Sequence, residues 1–293
     1  MIQVLYMKQK MKKNTKISYG DWTPHLESST EQIDLTQVRK LAGVLNIDET
    51  AFEPENDLPP MWHWLFFLHR STTENIGEDG HPKRGGFFPP IKLQRRMFAG
   101  ERIVFHSPLK IGLPATRTGT IVNLEEKVGS KGPMILLSAH YQIKQDEVLC
   151  IEDTHNIVYL DNNDSTPAPG ADSYVPPNNK WYKKYKVDPV FLFRYSALSF
   201  NSHRIHYDRD YTVNVEKYPG LIVHGPLTAL LLSELVRSKT NKPMKSFSFR
   251  GQAPIFEPWP FYAVGAPSKN GEINLEAVRN DSVIAMTATA KFD

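Results

Sequence analysis

Eight consecutive positions, 201 to 208, hold Asn201, His203, Arg204, His206, Tyr207 and Asp208. Such a set offers proton transfer near neutral pH, because an imidazole with an ordinary pKa of about 6.5 can both take and give a proton. A little further on, Gly225 and Pro226 open the strongly apolar stretch LTALLLSELV. Proline is favoured at the first helical position, and the leading N–H groups and dipole of a helix attract developing negative charge. The pattern therefore suits acid–base chemistry beside an oxyanion site.

Proline supplies no N–H, so the donor there would be Gly225 itself, Leu227 or a later residue, and the glycine permits close approach to the backbone. Structural roles compete at every position. His203 and His224 could brace the loop, and Asp208 could hold an imidazole tautomer or cap a turn. Arg204 and Arg250 are candidates for a carboxylate or phosphate, which guanidinium binds through two parallel hydrogen bonds, or could simply be solvated. Arg95 and Arg96 offer a second basic site. No metal site is expected, since His203 and His206 lie three apart without a third ligand at suitable spacing.

Elements to position these residues are legible on both sides. A length of 293 residues suggests two domains, and 40% hydrophobic with 11% aromatic residues is enough to bury real cores. The net charge of +3 makes no general case for nucleic acid or a membrane surface. Cys150 is the single cysteine, which excludes an intrachain disulfide and points to a reducing compartment. No apolar run approaches the roughly 20 residues that span a bilayer.

Residues 1–20 include a stretch with five lysines and read as a basic tail. Spacing predicts a helix over Glu31–Asn46 capped from Ser28, Ser29 or Thr30, and a second over PPMWHWLFFLH. Strands follow near 101–111, 115–127, 132–143 and 147–160. The proline-rich segment 161–180 reads as a linker. Beyond it come a short helix or strand over 188–200, the polar loop 201–224, a helix from Pro226 to Ser238, and strands near 245–256, 258–266, 271–280 and 282–292. Each half thus reads as helix followed by about four antiparallel strands, an α+β chain of two similar halves, 21–160 and 181–293.

FNSHRIHYD followed by YPGLIVHGPLTALLL resembles the MaoC-like hydratase/dehydratase superfamily. Within it the match is to the hydroxyacyl-thioester dehydratase type 2 and mesaconyl- or itaconyl-CoA hydratase branch. PPMWHWLFFLH and DGHPKRGGFFPPIKLQRRMFAGERIVFHSPLKIG are similar to that branch's N-terminal domain. The resemblance implies a double hot dog, two helices each wrapped by a curved antiparallel sheet. It implies a hydro-lyase acting on an enoyl-CoA thioester, with no separate cofactor and catalysis in the second half.

Related enoyl-CoA hydratases carry Asp-x-Asn-Pro-Leu-His-x-Asp. That signature places the catalytic imidazole on His206, the trailing aspartate on Asp208, its asparagine on His203, and Asn201 where the family has a catalytic aspartate. Gly225 falls on the glycine whose N–H polarises the thioester carbonyl. Substrate contacts would come from His203, Arg204, His224, Arg250, Arg95 and Arg96. A dicarboxylic mesaconyl- or itaconyl-CoA is the first expectation. A 3-hydroxyacyl dehydratase of fatty acid metabolism, meeting an acyl carrier protein, is the second, and a non-catalytic thioester-binding protein the third. A homodimer and the bacterial cytoplasm, with the mitochondrial matrix second, complete the expectation.

Overall fold

The computed structural model describes residues 19–93, 95–129, 132–161, 165–268 and 270–292. Most of the basic tail expected over 1–20 lies outside them. Period-two burial sets the strands. In 132–145 the alternate residues Ile135, Leu137, Ala139, Tyr141 and Ile143 are buried between more open neighbours, as a half-buried strand requires.

Ten strands result: β1 (Glu27–Gln32), β2 (Arg95–Phe105), β3 (Pro114–Gly129), β4 (Gly132–Gln145), β5 (Val148–Leu160), β6 (Trp181–Tyr185), β7 (Met244–Gly251), β8 (Phe261–Pro267), β9 (Ile273–Arg279) and β10 (Ile284–Phe292). They form one sheet in the order β1-β3-β4-β5-β2-β7-β10-β9-β8-β6. All neighbours are antiparallel. Read outward from the β2–β7 seam, both halves have the same topology, so each contributes five strands rather than the expected four.

Among the described residues four α-helices accompany the sheet: α1 (Leu35–Leu45), α2 (Pro189–Leu198), α3 (Arg209–Asn214) and α4 (Gly225–Arg237). Helix α4 is buried on almost every side and packs against β6 to β10. It is the wrapped helix of the second half. In the first half α1 turns Val38, Leu41, Ala42 and Leu45 into the same core.

Three expectations need correction. The helix begins later than Glu31: residues 27–32 pair with β3, and Asp34 caps α1 by accepting the Gln37 N–H at 2.9 Å. The stretch PPMWHWLFFLH is no long helix but one 3₁₀ turn, Trp62–Leu65, between left-handed Met61 (φ 74°) and Phe67 (φ 58°). Its aromatic residues are pulled to separate partners, Trp62 Nε1 donating to Glu234 on α4 (2.9 Å) and Trp64 Nε1 to Glu101 on β2 (3.2 Å). The strand β6, hidden in the lysine-rich WYKKY, was not anticipated. The segment 165–180 has no helix or strand, and is tied to the second half by Gly170 N–H donating to Asp281 and by Ser173 and Tyr174 N–H donating to the Asn280 carbonyl.

Candidate active site

Helix α2 stops at Leu198, and left-handed Phe200 (φ 47°) reverses the chain so that Asn201 N–H donates to the Ser196 carbonyl at 2.8 Å. A 3₁₀ turn, Arg204–His206, then carries His206 inward. Its Nδ1–H donates to the Ile222 carbonyl at 2.8 Å. A carbonyl only accepts, so Nε2 must carry the lone pair of the neutral ring. That nitrogen has no hydrogen-bond partner among the described residues and, unlike Nδ1 of His224, is not sealed in the interior. Burial pushes the His206 pKa down to about 4, against the Ile222 bond, which favours the charged form. At neutral pH His206 is therefore an oriented proton acceptor.

Two histidines set its position. His224 stacks on it at 3.6 Å with 19° between the planes, and donates or accepts through Nε2 with Ser196 Oγ at 2.8 Å. His203 meets it edge-on at 5.4 Å. Burial, then the neighbouring imidazoles, holds His203 far below the ordinary histidine range, and burial does the same to His224. At the start of α4 the backbone N–H groups of Gly225 and Leu227 have no acceptor among the described residues, because Thr228 makes the first bond back, to His224 O at 2.9 Å. A Cβ on Gly225 would meet only Phe98, at 3.8 Å, so protein packing alone does not demand glycine there.

Several anticipated site residues are engaged elsewhere. Asp208 does not touch the His206 ring: Oδ1 accepts the Tyr211 N–H (3.0 Å) as the cap of α3, and Oδ2 takes Nε (2.9 Å) and Nη2 (2.7 Å) of Arg204. Of its two sequence readings, the cap is the one the geometry gives. Arg204 is thereby committed, its guanidinium also lying 4.0 Å from the Tyr211 ring centroid. Arg95 donates to the Glu216 carbonyl at 3.0 Å and covers Tyr218, bracing the loop after α3. His224, fully buried, supports His206 from behind and cannot meet a ligand. Arg250 lies exposed on β7 opposite Gly100 and is not on the cavity wall.

A cavity of about 410 Å³ runs from this loop into the first half. Asn201, Ser202 and Pro226 form its wall on one side; His81, Arg96, Arg117 and Tyr141 are among the residues facing them. Arg96 lies 4.8 Å from the Phe88 centroid, and Arg117 lies 4.8 Å from Tyr141 and 5.5 Å from Phe67. Neither guanidinium has a carboxylate or carbonyl partner among the described residues, so their N–H groups remain open to a ligand. Arg96 was anticipated; Arg117 and His81, 84 or more residues upstream of Asn201 in the chain, were not.

A buried polar cluster reaches the same cavity. His155 Nε2 lies 2.8 Å from Glu101 and 2.9 Å from Asp153, and His63 Nε2 lies 3.5 Å from Asp153. Burial opposes charge on His155, but Asp153 and Glu101 outweigh it and raise its pKa to about 10. Burial, and then Asp153, keeps Glu101 protonated well above the usual carboxylate range, while Asp153 stays ionised beside the imidazolium. Ligand-type atoms of Glu101, Asp153 and His155, and those of Asp79, His81 and His203, come within 4.8 Å of one another. These are the two places among the described residues where a metal ion would find three ligands.

Residues 61–257 match the family of hydroxyacyl-thioester dehydratase type 2 proteins. The mesaconyl-C(4)-CoA hydratase of Chloroflexus aurantiacus is 46% identical over 272 residues, covering 92% of this chain and 96% of that protein. The chain belongs to the hydroxyacyl-thioester dehydratase type 2 family. It is thus a hydro-lyase by family, as its sequence resemblance implied. HtdX of Mycobacterium tuberculosis superposes with a TM-score of 0.65 at 17% identity, covering 91% of this chain and all of that one. A conserved hypothetical protein of M. tuberculosis with a double hotdog fold gives 0.56 at 12% identity over 92% and 96%. At such identities these likenesses concern the fold, and the dehydratase has the double hot dog. None of its described helices is long and apolar enough to cross a membrane.

Proposed function

We propose that this dehydratase hydrates mesaconyl-CoA bearing its thioester on C4, the reaction named by its 46% identical relative. Mesaconate is methylfumarate, so a thioester at C4 leaves a methyl group and a free carboxylate on the β-carbon. That carboxylate separates this substrate from a fatty enoyl chain. The supporting observation is one cavity shared by Asn201, the start of α4 and two guanidinium groups without anionic partners, Arg96 and Arg117. A site for a simple acyl chain would present an apolar tunnel instead.

In this reading Nε2 of His206 takes a proton from water as the water oxygen bonds to the β-carbon. The π pair moves onto the thioester carbonyl, where N–H groups of Gly225 and Leu227 hold the enolate oxygen. The imidazolium then returns its proton to the α-carbon, and His206 is neutral again. Asn201 offers Nδ2–H to the water oxygen, since its Oδ1 already accepts the His203 N–H at 3.0 Å. The second half carries the chemistry, the first shapes the acyl end, and the steps written here use no metal or cofactor beyond the substrate's own CoA. The bacterial cytoplasm is the compartment we assign.

The test follows the enoyl-thioester absorbance as purified protein meets mesaconyl-C4-CoA, itaconyl-CoA and crotonyl-CoA, with His206→Ala alongside. Loss of the band with mesaconyl-CoA, slowed by about 10²- to 10⁴-fold in the variant, is expected. Turnover of crotonyl-CoA alone would defeat the dicarboxylate assignment, and undiminished turnover by His206→Ala would defeat the mechanism.

A further inference from the structure

Asn201 stands where related hydratases place a carboxylate, but a neutral amide is a weak acceptor, and its Oδ1 already accepts the His203 N–H at 3.0 Å. A second, stronger acceptor for the water would complete the site. The first half delivers one. Residues 78–80 are bonded to the catalytic loop through Arg204 N–H to Asp79 O (2.9 Å), Arg204 Nη1 to Glu78 O (3.3 Å) and Ser202 Oγ to Gly80 O (2.5 Å). The approach is so close that a Cβ on Gly80, at φ +87°, would fall 1.8 Å from the Ser202 carbonyl oxygen.

This junction puts His81 on the cavity wall with Asn201 and Ser202. Asp79 orients it: one carboxylate oxygen accepts the His81 backbone N–H (2.9 Å) and the other accepts Nδ1–H (3.0 Å). Nε2 therefore bears the lone pair, and it has no hydrogen-bond partner among the described residues. The ring lies 3.8 Å from His203, whose edge meets His206. An Asp–His dyad, 120 residues before Asn201 in sequence, thus has its histidine on the cavity that Asn201, Ser202 and Pro226 line.

We propose that His81 is a second catalytic residue, its Nε2 accepting the other hydrogen of the water that His206 deprotonates. Water has four tetrahedral directions. Its two hydrogens would go to Nε2 of His206 and Nε2 of His81, one lone pair would accept Asn201 Nδ2–H, and the last would bond the β-carbon. The proton on the His206 side is the one that reaches the α-carbon. The hydrogen held by His81 stays on oxygen as the product hydroxyl, so His81 gains and loses nothing. The role needs only the Nε2 lone pair, which the Nδ1–H bond to Asp79 leaves free.

The inference rests on the hydration chemistry proposed above but not on the free carboxylate, so it applies to whichever enoyl-CoA the enzyme turns over. His81→Phe keeps an aromatic face against His203 and removes the acceptor; His81→Asn serves where that variant does not fold. Either should lower kcat by about 10²-fold at a KM within about threefold of wild type, with an unshifted melting temperature. Adding His81→Phe to His206→Ala should cost less than about threefold more, since both groups serve one water. Asp79→Asn still accepts Nδ1–H and should lose less than about tenfold. Full kcat in His81→Phe, or a raised KM with kcat intact, would overturn the proposal. So would wild-type activity abolished by a chelator and restored by zinc, because Asp79, His81 and His203 would then be ligands. If His206→Ala remains active the hydration reading itself fails; if it is dead while His81→Phe is active, only the role of His81 fails.

Discussion

Asp208 separates two accounts of how the His206 imidazole is held. The signature of related hydratases puts an aspartate two residues after the catalytic histidine, which invites the view that it fixes the ring. Here the Ile222 carbonyl does so at 2.8 Å, while Asp208 caps α3 through Tyr211 and binds Arg204. Asparagine caps a helix about as well as aspartate, so Asp208→Asn should keep the cap and lose only a solvent-screened charge pair. Asp208→Ala loses the cap as well, a cost of about 1 kcal/mol and a fall in melting temperature of about 2–4 °C. Neither change touches Nδ1 of His206, so kcat of Asp208→Asn should stay within about threefold of wild type. Had the carboxylate set the tautomer, the same replacement would cost about 10⁴-fold, the scale seen when an acid–base histidine is left in the wrong tautomer. Enoyl-thioester absorbance and a thermal melt on both variants decide between outcomes several orders of magnitude apart. A loss of more than about 100-fold in Asp208→Asn at unchanged melting temperature would refute the assignment of the tautomer to Ile222.

Other consequences are as direct. Gly80→Ala should abolish activity and destabilise the fold, because the new Cβ would have to displace the Ser202 backbone, 1.8 Å away; a fully active, equally stable variant would contradict the loop junction. Arg96→Gln and Arg117→Gln should each reduce kcat/KM for mesaconyl-C4-CoA by about 10- to 10²-fold, roughly the 1.5–3 kcal/mol of a hydrogen bond to a charged group, while leaving crotonyl-CoA turnover little changed. Equal losses on both substrates would remove the carboxylate from the argument. His155, raised to about 10 in the fold against about 6.5 unfolded, contributes stability that is complete below pH 6.5 and lost as pH rises through 10. Glu101, whose pKa is also raised, acts in the same direction above its unfolded value. Urea midpoints should therefore fall between pH 7 and 10, with a shallower fall in His155→Asn; a flat wild-type profile would mean the imidazolium is not held between those acids.

How much of this could be read from the chain depended on whether the signal was local. Strands β3, β4 and β5 and helix α4 carry their period in sequence and appear close to where expected. The run MWHWLFF has no period, so nothing local showed that its residues part to reach α4 and β2. His206, Asn201 and Gly225 were legible because one loop and one helix start contain them. The cluster of Glu101, Asp153 and His155 was not, although its ingredients were visible. Asp153 and His155 are two apart and so share one face of β5, but Glu101 joins them only through a register that pairs it with His155. His81 was hidden more deeply, in a glycine- and proline-rich loop with no regular structure to announce where it goes.

The seam between the halves explains why such distant residues can act together. Strand β2 is shared: on one side it pairs with β5, which carries Asp153 and His155, and on the other with β7 of the second half. At Gly100 the two halves come as near as backbones allow, since a Cβ there would lie 2.3 Å from the Phe249 carbonyl oxygen. One residue along, Glu101 belongs to the buried cluster, and two residues back Phe98 lies in van der Waals range of a Cβ built on Gly225. The start of α4 and the polar floor of the cavity are thus set by a single strand that joins the two halves of the sheet. The first half is then no passive partner of the second, because it supplies the Arg96 and Arg117 guanidinium groups and the His81 loop to the cavity that Asn201 lines.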